Sequence, residues 1–178
     1  MLDGAWPYVI VGGTVVVLAV ISTVVSRIAW RRQVQRFIED LLGRNEAIGL
    51  ALRTTQGIID RLARGTVADV LEFATPDSDD RAALGQIGRG MRIQADELSE
   101  IPLPRRLWKL ADQLGVAASA IASQTSAIAE TEGEAVLDAL GALDLGGARG
   151  LLESAESEIL LVSARYGLIE RRKKKRRT

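Results

Sequence analysis

Residues 34–62 read VQRFIEDLLGRNEAIGLALRTTQGIIDRL, and how this stretch is buried decides the fold. Its apolar positions recur at steps of three and four: Val34, Ile38, Leu41, Ile48, Leu52, Ile59 and Leu62, with Asn45 and Thr55 completing the series. That spacing predicts a helix with one buried stripe. With Ile38 as heptad position a, Asn45 also falls on a, while Leu41, Ile48 and Leu62 fall on d. One Asn at an a position is a known device for fixing the register of a parallel dimer, so Asn45 is the candidate register residue of a coiled coil. The flanking e and g positions point elsewhere. Leu42, Arg44, Gly49, Ala51, Gln56, Ile58, Ala63 and Gly65 are mostly apolar or small where a dimer zipper places charges. A wider buried face fits a helix packed inside a bundle of its own chain.

Before this stretch lies WPYVIVGGTVVVLAVISTVVS, residues 6–26, without one charged side chain. Its length meets the roughly 20 apolar residues that span a bilayer. Trp6 and Tyr8 at one end and Trp30 at the other stand where aromatic belts form. Arg27, Arg31, Arg32 and Arg36 follow it, and only Asp3 precedes it. The positive-inside rule therefore predicts an N-terminus outside and residues 27–178 in the cytoplasm, at the cell membrane. About six residues are left outside, too few for an extracytoplasmic sensor. Ala19 with Thr23, and Ser22 with Ser26, have the small-xxx-small spacing of helix pairs, but no GxxxG is present.

The chain is neutral overall, with 23 basic and 23 acidic residues in 178, yet its charge is sorted. Residues 27–65 carry a net +4, residues 66–170 a net −10, and residues 171–178 a net +7. The expected organisation is a short outer end (1–5), a transmembrane helix (6–30), a neck helix (31–65), an acidic helical bundle (66–170) and a polybasic tail (171–178).

Within the acidic part, Phe73-Ala-Thr-Pro76 breaks the chain. Thr75 or Asp77 is the expected cap of a helix over Asp79–Glu100 that turns Leu84, Ile87, Met91 and Leu98 inward. The acids Asp77, Asp79 and Asp80 do not make a calcium loop, because Arg81 and Ala82 stand where a ligand and the obligatory Gly belong. Ile101-Pro-Leu-Pro104 ends that helix and starts another, striped by Leu107, Leu110, Leu114, Ala117, Ile121, Thr125 and Ile128. Its run VAASAIAS permits close helix approach. Gly133 interrupts before AVLDALGAL, and Gly146-Gly147 is the expected turn into a last helix bearing Leu151, Leu152, Ala155, Ile159, Val162, Tyr166 and Ile169. The fold class is thus all-α: one N-terminal transmembrane helix and a cytoplasmic antiparallel bundle of about four helices, for which short loops are the default.

Chemistry is poorly provided for. Cysteine and histidine are absent, which removes thiolate nucleophiles, the commonest general base and the commonest metal ligand. There is no P-loop, no nucleophile elbow and no dinucleotide fingerprint. No catalytic residue, metal or cofactor is expected. The expected role is a non-enzymatic membrane-anchored interaction or scaffold protein, an accessory subunit of a membrane complex being one form. The alternatives are a homodimeric signalling element with a coiled-coil neck and a nucleic-acid tether. Arg171, Arg172, Lys173, Lys174, Lys175, Arg176 and Arg177 are the candidate contact to anionic lipid of the inner leaflet. Nucleic acid is the weaker partner for them, since no aromatic residue interleaves the run. The remaining expected partner is another protein or a second copy.

Overall fold

The computed structural model describes residues 6–75, 77–131 and 135–166, with the side chains of residues 6–18 and of Arg106 outside that description. Six helices follow in order: α1 (Trp6–Arg64), α2 (Val67–Phe73), α3 (Asp79–Glu100), α4 (Arg105–Glu130), α5 (Ala135–Gly141) and α6 (Gly146–Arg165). No strand occurs among the described residues. The chain divides into two compact units, Met1–Phe37 and Ile38–Thr178, the boundary falling inside α1. The transmembrane and neck helices expected as two segments are one continuous helix. Among the described residues no helix is long and apolar enough to cross a membrane. The run 6–26 lies mostly where side chains are not described, and Trp6, Tyr8 and the basic residues 171–177 are likewise outside the described side chains.

The second unit is an antiparallel four-helix arrangement, and its polar pairs give the register. Arg44 Nη1 donates to Glu97 Oε2 at 2.8 Å, and Arg61 Nη2 donates to Asp80 Oδ1 at 2.7 Å. Seventeen residues forward on α1 match seventeen residues backward on α3, so the two run antiparallel in step. Lys109 Nζ meets Glu158 at 3.1 Å and Gln124 Nε2 meets the Asp144 carbonyl at 2.6 Å, which sets α4 antiparallel to α6. Arg149 Nη2 donates to Gln56 Oε1 at 2.6 Å, closing α6 back onto α1. The surface ion pairs are worth at most about 1 kcal/mol each. Their value here is that they report alignment; burial holds the unit together.

That burial follows the stripes. Leu107, Leu110, Leu114, Ala117, Ile121, Thr125 and Ile128 of α4 are all buried, as are Leu84, Met91 and Leu98 of α3 and Leu152, Ala155 and Ile159 of α6. Each large aliphatic side chain so removed from water contributes about 1.5–3 kcal/mol. The backbones of α3 and α4 approach most closely. Small residues allow it: Gly88 faces Thr125 and Ser126, Gly85 faces Ala129, and Gly115 faces Leu98 and Ala95.

Several local expectations are corrected. On α1, Ile58 is buried and Ile59 only half-buried. Phe73 of α2 and Val136 of α5 fold over that end, joining Ile58, Leu62, Leu84 and Ile128 in one cluster and turning the buried face toward the g column. Ile87 and Leu151 are half-buried. Ser78, rather than Thr75 or Asp77, occupies the N-cap position of α3, without a side-chain cap bond, and Thr75 Oγ1 instead donates to the Glu72 carbonyl at 2.6 Å. Gly146 and Gly147 are the first residues of α6, not a preceding turn. Asp144 Oδ1 accepts the Gly146 N–H at 2.8 Å and so orders that start.

Helix α2 was not expected as a separate element. Thr66 and Asp69 form a reciprocal capping box at its N-terminus. The Asp69 side chain accepts from the Thr66 backbone N–H and hydroxyl, which holds its carboxyl below the usual carboxylate range. The pattern T-x-x-D before an apolar residue carries that signal in the sequence.

Candidate functional site

The residues expected to meet a membrane interface are exposed where their side chains are described. Arg27, Arg31, Arg32 and Arg36 all lie on the surface of α1, and Trp30 is 51% exposed. None of the four arginines makes an ion pair among the described residues. Every described residue from 19 to 33 is exposed. The large apolar side chains Val20, Ile21, Val24, Val25 and Ile28 are among them, uncovered by protein. At 100° per residue, these five fall on one half of the helix, and Ala19, Ser22, Thr23 and Ser26 on the other. The Thr23 hydroxyl is turned back to the Ala19 carbonyl at 2.8 Å, which satisfies it without solvent.

Asn45 sits differently. It is 8% exposed, packed within the bundle of its own chain, and its Oδ1 has no hydrogen-bond partner among the described residues. It lines a groove of about 400 Å³ between α1 and α6, with Gly49, Leu52, Gln56, Arg149 and Leu152. The face that would form a dimer seam is therefore the face the bundle buries, and one α1 cannot use it for both. Thr55, nearly three helical turns further on, is fully buried, and its hydroxyl likewise has no partner among the described residues.

Two arginines that sequence reasoning passed over organise the unit. Arg81 is 7% exposed and its guanidinium donates to three main-chain carbonyls: Nε to Ala129 at 2.9 Å, Nη1 to Ala74 at 3.1 Å and Nη2 to Thr131 at 2.7 Å. It closes the C-termini of α2 and α4, where a cation also favours the helix dipole. Arg44 bridges Asp40, Gln94 and Glu97. Partial burial disfavours its charge, but the hydrogen bonds to Glu97 and Asp40 outweigh that and hold it above the ordinary arginine value. Both are fork-shaped polyvalent roles that need tertiary neighbours to be recognised.

The acids form a second theme. Asp69, Glu72, Asp77, Asp79 and Asp80 surround an open depression of about 520 Å³ at the junction of α2 and α3, with Arg61 on its edge. A further groove, of about 330 Å³, lies along α3 and α4 beside Trp108. Compared with known protein families, with curated proteins and with solved structures, the chain matches none.

Proposed function

We propose that this chain is a single-pass, non-enzymatic membrane scaffold whose helical bundle offers a cytoplasmic binding surface. The carrying observation is the charge-free run of residues 6–26, whose described part stands as a helix with its large apolar side chains exposed and unpartnered. In water such a surface would be costly, and a bilayer is the solvent that suits it. The four following arginines orient it with the N-terminus outside.

The polybasic stretch fits the same reading. Helix α6 runs antiparallel to α1, so Tyr166 comes at the end of the bundle where Ile38 enters it. Five residues later begins the run Arg171–Arg177. Ile38 in turn follows Arg36 by two residues. Read with the anchor, that sequence order supports the tail as a partner for anionic headgroups, which attract each Lys or Arg near a bilayer by about 1 kcal/mol.

The chain lacks cysteine, which makes topology directly readable. Asp3→Cys should react with an impermeant maleimide on intact cells, and Ser154→Cys only after permeabilisation. The protein should stay with membranes in alkaline carbonate. Release by carbonate, or labelling of Ser154→Cys on intact cells, would overturn the anchor. Affinity capture with the full chain beside a version ending at Glu170 tests the scaffold role. Recovery of a distinct protein supports it, and recovery of self alone overturns it in favour of a homo-oligomeric signalling element.

That second reading has its own support in the small face Ala19, Ser22, Thr23 and Ser26, which suits close helix pairing in lipid. Its test is Ser22→Cys, which crosslinks in membranes when two copies pair along that face and stays reduced when they do not.

A further inference from the structure

The α3–α4 groove carries the inference furthest. Leu98 and Ala111 are buried at its floor, and Gly115 keeps the floor open, with Leu98 Cβ 3.8 Å from where its own Cβ would stand. Trp108 stands at its edge 62% exposed, with Val116 also exposed. Asp96 and Asp112 line the same groove, both exposed. Neither carboxylate has an ion-pair partner among the described residues. Lys109, three residues before Asp112, bonds Glu158 of α6 instead.

We propose that this groove docks a basic amphipathic helix of a partner protein. The inference rests on the scaffold reading above and names the partner's chemistry. The volume takes the anchor side chains of a helix laid across it, spaced at i, i+3 or i+4 and i+7. Trp108 is the residue type that most often carries interface energy once its surroundings are dried. The two carboxylates, without an ion-pair partner among the described residues, select cationic flanks on the incoming helix. They also argue against anionic lipid and nucleic acid as occupants, since either would bring like charge to the groove.

The test uses the full chain in phosphatidylcholine nanodiscs, with Trp6→Phe and Trp30→Phe leaving Trp108 as the sole indole. The probe is a synthetic Leu/Lys amphipathic helix of about five turns, beside a Leu/Glu helix of the same pattern. A saturable blue shift of Trp108 emission with the Leu/Lys helix alone is expected. Asp96→Asn with Asp112→Asn should weaken it about tenfold or more, the change of two lost charge contacts. No shift, an equal shift with the Leu/Glu helix, or binding unmoved by the Asn variants would each overturn the proposal. Circular dichroism verifies that the variants remain folded. Partner capture from membranes that survives these negative outcomes would leave the scaffold reading standing while the groove fails.

Discussion

Gly88 of α3 sits so close to Ser126 of α4 that a Cβ added to it would stand 2.6 Å from the Ser126 hydroxyl and 2.9 Å from that of Thr125. Thr125 has little room to yield, since it is fully buried and its hydroxyl already bonds the Ile121 carbonyl at 2.7 Å. The tightest helix pair of the bundle is thus set by a missing side chain.

Gly88→Ala should therefore destabilise the bundle, by about 1–3 kcal/mol, as overpacking usually does. Gly90, two residues on, meets nothing within 4 Å, and Gly90→Ala should instead stabilise by up to about 1 kcal/mol through helix propensity. Thermal melts of the two variants should move in opposite directions.

Arg81 is the next sensitive position. Arg81→Leu leaves three carbonyls at the ends of α2 and α4 without their charged donor, and a loss of about 2–4 kcal/mol is expected. Arg81→Lys should recover only part of this, because one ammonium cannot reach three divergent acceptors. Hydrogen exchange should accelerate first at Val67–Phe73 and at the end of α4.

Thr55 offers a gain. Its buried hydroxyl has no partner among the described residues, so Thr55→Val, which keeps the shape and removes the polar atom, should stabilise by about 1 kcal/mol. A denaturant midpoint that rises at constant slope confirms it.

The capping box gives a pH dependence with a definite sign. Asp69 has a folded value below its ordinary 3.8, so its contribution is fully present above the unfolded value and is lost as pH falls through the folded one. Exchange protection of α2 should hold from neutral pH to about pH 5 and decline below about pH 4. Asp69→Asn should flatten that local profile, leaving any acid loss elsewhere in place.

Much of this was legible in the residues. The α4 stripe reads directly because an amphipathic helix of 26 residues repeats its period often enough to be unmistakable. The antiparallel order followed from short loops. The seven residues of α2 give too little periodicity to read as a helix, although Thr66 and Asp69 mark its start. A heptad count assumes one straight seam and so selects Ile59 over Ile58. Burial is decided by what covers each position, and Phe73 and Val136 cover Ile58.

The sequence by itself determined the class of each segment: a charge-free run, sorted charge, and four helical stripes. These depend only on local periodicity and solvation, which every residue reports alone. Only the tertiary structure decided that Arg81 would close two helix ends, that Gly88 would be filled by a neighbour's hydroxyls, and that Asp96 and Asp112 would flank an exposed Trp108. Those relations reach as far as the 50 positions between Arg81 and Thr131, and no local pattern encodes which partner a side chain will meet.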